Sequence, residues 1–231
     1  MRAALIVVEG VRDLAVLRAV LERELGLEEA MLGGPWLDEC ELRLLRFLDS
    51  LRNKFFICRR PPHKRGRHRK YVFMRGYGSR VFVFEAGGRE MVLKILAYLV
   101  KHAASKVHLL RHPPFLGAVL DTDLEDPSRI LERLGNALRN FRNYARLAEN
   151  HAVVRVETRD ADLTLRIAFV EPSMEGVLGD LHPPDKAGDW GPWVVQRYDD
   201  VEKVLRARSG VYRLAEDLRT FLSGPRAPHH I

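Results

Sequence analysis

The chain has 231 residues, a net charge of +7 and 46% apolar residues. That is enough to bury the core of one large domain, or of one domain carrying an insertion. No apolar run approaches the ~20 residues of a membrane span. Glu9 interrupts the N-terminal apolar stretch too early for a signal peptide, and Cys40 and Cys58 make no disulfide framework. A soluble, cytoplasmic protein is expected.

In chain order, residues 3–8 form a continuous apolar run, as in a parallel strand buried on both faces. Leu14, Leu17, Leu21 and Leu25 recur at helical spacing, and Gly26 closes that helix. The GGP at 33–35 breaks the chain, and a second amphipathic helix is expected over 37–51. Residues 54–58 and 71–74 read as strands flanking RRPPHKRGRHRK, which predicts a hairpin with a long basic tip. Further strands are predicted at 80–84, 115–120, 152–156 and 163–170, with a helix at 90–102. A long helix is predicted over 127–150, with Asp126 or Ser128 at its start and Ile130, Leu131, Leu134, Leu138 and Phe141 on one face. Helical patches at 174–181, 201–207 and 211–222 follow, with a Pro/Gly/Trp-rich loop at 183–193.

Without residues 33–79, strands and helices alternate. The fold class predicted is therefore α/β: a mostly parallel sheet flanked by helices, with a basic helix-plus-hairpin insertion and a helical C-terminus. Residues 1–182 form the α/β domain, and 183–231 pack on it as a loop and helical extension. In such sheets, sites lie at the carboxyl ends of strands.

The charge is unevenly placed. Residues 50–84 contain 11 Lys or Arg and no Asp or Glu; taking these 11 from the net +7 leaves the rest of the chain at −4. A strongly basic segment on a slightly acidic body is the footprint of a polyphosphate partner, most often nucleic acid. A solvated loop of an Arg-rich protein is the alternative. The candidate contacts are Arg59, Arg60, Lys64, Arg65, Arg67, Arg69 and Lys70, with Phe55, Phe56, Tyr71, Phe73 and Tyr77 interleaved for stacking.

Two acidic motifs end predicted strands. LIVVEGVRD places Glu9 at the end of the first and Asp13 one helical turn later. GAVLDTDLED places Asp121 at the end of another, with Asp123 two residues on. If the chain stays extended there, Asp121 and Asp123 point the same way. Two close carboxylates repel each other, and a divalent cation offsets that cost. Helix capping accounts for Asp126 and Glu125 but does not require Asp121 or Asp123.

Val7-Val8-Glu9-Gly10 with Asp13, followed by Val119-Leu120-Asp121-Thr122-Asp123, resembles the Toprim domain, the Rossmann-like catalytic fold of topoisomerases, bacterial-type primases and OLD-family nucleases. The resemblance spans roughly residues 3–175. VFEAGGREMVLKILAYL looks like the strand–GG–helix between the two motifs in OLD-type members, and Ser173 and Glu175 match a later Ser-x-Glu of that group. The resemblance implies that Glu9 is the general acid or base of phosphoryl transfer and that Asp121 and Asp123 hold Mg²⁺ or Mn²⁺. Asp13 and Glu175 would complete a second metal position. No G-x-x-x-x-G-K-S/T, topoisomerase-type tyrosine or zinc-ribbon cysteine set is present, so a stand-alone Toprim protein is expected.

The expected function is metal-dependent cleavage of a phosphodiester in DNA or RNA. A regulatory nucleic-acid-binding module and a primase-like nucleotidyl transferase are the alternatives. A second copy of the chain is a further candidate partner. Three other constellations read as structural. Cys40, Cys58, His63 and His68 lack zinc-site spacing, Asp160 and Asp162 sit in a hairpin turn, and Trp190 and Trp193 clamp a loop rather than stack on bases.

Overall fold

The computed structural model describes residues 2–30, 43, 71–76, 79–106, 113–159 and 161–224. The candidate insertion contacts from Arg59 to Lys70 lie outside these residues, as do Cys40, Cys58, the strand at 54–58 and, apart from the helical Arg43, the expected helix over 37–51.

Strand β1 (Arg2–Val8) opens the fold, and α1 (Val11–Leu25) follows it. Next come β2 (Glu28–Glu29), β3 (Tyr71–Gly76), β4 (Ser79–Glu85) and α2 (Arg89–Lys106). Then β5 (Phe115–Asp121), α3 (Pro127–Ala137), β6 (Arg142–Ala148), β7 (His151–Glu157) and β8 (Leu163–Val170) complete the sheet. Four C-terminal helices follow: α4 (Met174–Val177), α5 (Trp190–Gln196), α6 (Tyr198–Arg208) and α7 (Val211–Ser223). No described helix is long and apolar enough to cross a membrane.

The eight strands make one sheet in the order β2-β3-β4-β1-β5-β8-β7-β6. The period of two in β1 explains the layering. Ala3, Leu5 and Val7 enter one core, under α2 and α3, while Ala4, Ile6 and Val8 enter the other, under α1 and α4–α7. A strand buried on both faces must read as unbroken apolar sequence, and β1 does.

The sheet is mixed rather than mostly parallel. Only β4, β1, β5 and β8 run parallel to one another. The flanking pairs β2–β3, β3–β4, β6–β7 and β7–β8 are antiparallel. For β3–β4, β6–β7 and β7–β8 the reason lies in the connections: a parallel neighbour needs a crossover, whereas their short links force a hairpin. The expected long helix over 127–150 breaks for the same reason. It ends at Ala137, and residues 142–148 pair with β7 through the tight Glu149–Asn150 turn, where Glu149 takes φ 49°. Backbone pairing outweighs the helical spacing of Leu138 and Phe141. Within the expected C-terminal loop, residues 190–196 form α5.

Candidate acidic site

The site lies where the sheet's parallel strands end. Strand β1 stops at Val8, and the Glu9 carbonyl accepts the Gly87 and Gly88 amides at 2.9 and 3.1 Å. Those glycines have φ 84° and 129°, backbone that suits residues without Cβ. The GG turn thus ties the start of α2 to the end of β1. The Glu9 carboxylate points the other way and accepts the Asp121 backbone N–H at 3.0 Å. One hydrogen bond joins two motifs more than 100 residues apart.

Asp13 lies in the first turn of α1. Its Oδ2 accepts the Gly10 N–H at 2.8 Å, so it caps the helix it belongs to. Its Oδ1 is buried with no hydrogen-bond partner. The Asp121 Oδ1 accepts the Met174 N–H at 3.1 Å, which draws in the segment bearing Glu175. Ser173 caps that short helix through the Gly176 N–H at 3.2 Å.

Charge repulsion and burial act together here. Burial, with the Asp121 carboxylate beside it, pushes the Glu9 carboxyl up to about 8. Burial and the neighbouring Glu175 push Asp121 up to about 7. Burial and Asp121 hold Asp13 well above the usual carboxylate range, with Glu9 and Glu175 adding to the effect. The five acids singled out from sequence therefore share one electrostatic neighbourhood.

The expected common direction of Asp121 and Asp123 does not occur. The extended backbone stops at Asp121, and Asp123 and Leu124 take φ 47° and 68° in the left-handed region. Such conformations cost energy in residues other than glycine and persist where the surroundings impose them. Here the Asp123 N–H donates to the Pro172 carbonyl at 2.8 Å and the Glu125 N–H to the Thr122 carbonyl at 2.8 Å. The Asp123 side chain turns outward, 60% exposed.

Two arginines that the sequence reading passed over complete the site. Arg89 donates to the Thr122 carbonyl at 2.7 Å and lies 3.6 Å from Asp123 and 3.3 Å from Glu125. Arg12 pairs with Glu175, donates to the Asp185 carbonyl at 2.8 Å and stacks over Trp190. Both were within reach of the sequence, since Arg12 stands inside VEGVRD and Arg89 follows the glycine pair. Attention to acids alone hides the cations that face them. With these contacts in place, no group of three or more His, Cys, Asp or Glu side chains among the described residues forms a ready-made metal site. The donor chemistry nevertheless suits a hard cation, because it consists of carboxylate oxygens and includes the unpartnered Asp13 Oδ1.

The tryptophans clamp a loop, as expected. Trp190 is fully buried, donates to the Pro184 carbonyl at 2.8 Å and packs 5.5 Å from the Trp193 ring. Residues 160 and 162 fall in the connection between β7 and β8, with Asp162 exposed and Asp160 outside the described residues.

No family model matches the chain, and no curated protein sequence matches it. A solved structure does: the crystal structure of the hypothetical protein PH0156 from Pyrococcus horikoshii OT3. It aligns with a TM-score of 0.52 over 94% of this chain and 99% of that one, at 14% identity. At that identity the likeness is one of fold.

Proposed function

We propose that the chain is a divalent-metal-dependent nuclease of Toprim-like design. The observation that carries this reading is the hydrogen bond between the Glu9 carboxylate and the Asp121 N–H. It brings two acidic strand ends together, with Asp13 and Glu175 alongside. The parallel core β4-β1-β5-β8 supports the same reading, because Glu9 and Asp121 stand at carboxyl ends of its adjacent strands.

In this reading Asp121 holds Mg²⁺ or Mn²⁺, Asp123 must leave Arg89 and turn inward to join it, and Asp13 and Glu175 provide a second position. The ion, when bound, offsets charge on the scissile phosphate and acidifies the attacking water. Glu9, poised near neutral by its buried surroundings, holds or releases the proton. Arg89 fixes the turn that carries Asp121 and Asp123 through its bonds to the Asp121 and Thr122 carbonyls. Arg12 holds Glu175 and must release it if that carboxylate is to serve as a ligand. The basic segment at 59–70 would grip the nucleic acid.

A second reading follows from the two arginine pairs. If Arg12 and Arg89 are permanent counter-ions, the chain is a nucleic-acid-binding module without turnover. Incubation with single- and double-stranded DNA and RNA, with Mg²⁺ or Mn²⁺, separates the two. Cleavage that falls by about 10²–10⁴-fold in both Glu9→Gln and Asp121→Asn supports the nuclease. Cleavage that survives both substitutions overturns the site assignment, and binding without turnover under either metal favours the module.

A further inference from the structure

Away from the acids, the outer part of the sheet presents a different surface. Residues directly opposite each other in a ladder share a face. The register places Arg146, Val153 and Arg166 in one row across β6, β7 and β8, and Tyr144, Arg155 and Thr164 in the next. Arg142 and Glu157 form a third row. This is the face that α7 covers further in, since Ala168 on β8 belongs to that core. On β6 and β7, Arg142, Tyr144, Arg146 and Arg155 are exposed, Tyr144 at 50%.

The charges on this face are only partly answered. Arg142 lies 3.7 Å from Glu157 and over the Tyr144 ring at 5.4 Å. Arg166 is held by Asp217 at 3.1 Å, an acid that also faces His151 at 3.2 Å. Arg146 and Arg155 have no ion-pair partner among the described residues. Beside Arg146 the face opens into a cleft of about 610 Å³ against the start of α7. Acids stand there too, Glu149 at the hairpin turn and Glu216 on α7, but Glu216 lies 3.4 Å from Arg213.

We propose that this outer face of β6 and β7 is a platform for single-stranded nucleic acid, with Arg142, Arg146 and Arg155 on phosphates and Tyr144 stacking on a base. The proposal deepens the nuclease reading and rests on it for its substrate. Cations interleaved with an exposed aromatic on a sheet are what an unpaired strand requires, because every base offers a π-face and every linkage a negative charge. Position supports it as well. From Arg146 to Asp121 is three strand spacings and four residues of rise, about 20 Å in a straight line, so a short oligonucleotide that passes round α7 reaches both platform and acids. A second copy of the chain fits this surface less well. Self-pairing of β6 centred on Tyr144 would set Arg142 opposite Arg146, and like charges across a ladder repel.

The test is fluorescence anisotropy of the full chain with labelled 12-nucleotide single strands of DNA and RNA and the matching duplexes, without divalent metal. Arg146→Glu with Arg155→Glu should weaken single-strand binding by about tenfold or more and flatten the salt dependence by about 1.4 in slope. Tyr144→Ala should weaken it by about fivefold or more. Arg146→Gln with Arg155→Gln serves as the milder pair, and unchanged thermal melting shows that each variant is folded. Unchanged affinity in folded variants overturns the platform, as does absence of single-strand binding by the wild type. Self-association that the substitutions abolish also overturns it, in favour of a second copy. The nuclease reading fails separately: binding that needs Arg146 and Arg155, without cleavage under Mg²⁺ or Mn²⁺, keeps the platform and removes the nuclease.

Discussion

The carboxyl end of the parallel strands and the outer face of β6 and β7 belong to one sheet, yet they treat charge in opposite ways. At the strand ends, Glu9, Asp13 and Asp121 are drawn out of water and set against one another, so burial and repulsion hold their protons on. On the outer face, Arg146 and Arg155 stay in water, where a charge costs little and contributes little to folding. One region stores electrostatic work in the fold. The other keeps its charge available to an outside partner.

The largest break in that comparison is chemical. Asp121→Asn should reduce metal-dependent phosphodiester cleavage by about 10³-fold while leaving single-strand affinity within about twofold, read by parallel cleavage and anisotropy assays. Next comes a packing test between the regions. A Cβ at Gly210 would lie 1.9 Å from the Asn150 carbonyl oxygen and 3.0 Å from the Ala168 Cα, both backbone atoms. Gly210→Val should therefore separate α7 from β7 and β8 and destabilise the chain by about 3 kcal/mol or more in urea titration.

The third test concerns pH. Glu9 has a native pKa of about 8 against an ordinary value of 4.5, so between them the folded chain binds more protons than the unfolded one. Stability without metal is thus fully present below about 4.5 and falls as pH rises towards about 8. Glu9→Gln removes that loss, so its melting temperature at pH 8.5 should exceed the wild type's by several degrees, at roughly 2–4 °C per kcal/mol. A wild type that melts at the same temperature at pH 5 and pH 8.5 would contradict the stored work. The smallest effect is local. Asp126 accepts the Ser128 N–H at 2.8 Å as the cap of α3, and Asp126→Ala should lower the melting temperature slightly without altering cleavage.

Much of the acidic end was legible in the sequence because its determinants are local. An unbroken apolar run reports a strand buried on both faces, and an acid at its end reports a strand terminus. That Glu9 and Asp121 belong together was an implication of the Toprim resemblance of their two motifs. Three features were not legible. The orientation of Asp123 depends on left-handed backbone imposed by the Pro172 carbonyl and Arg89, which are distant in sequence. Strand β6 hides in residues of fair helical spacing, because its stabilisation comes from β7 rather than from itself. The arginines of the outer face share it only through ladder register, which no single segment records.

The order of the sheet sets a length. The chain leaves at Ala30 beside β2 and returns at Tyr71 on β3, near one edge, while β6 forms the other. Glu9 and Asp121 follow β1 and β5, at the middle of the eight strands. By strand spacing the acids lie about 17 Å from β6, the edge that carries the exposed arginines. The sheet would then act as a ruler. For the proposed nuclease, the shortest product should count the nucleotides between the acids and β6, and that number would change if a strand were added or removed.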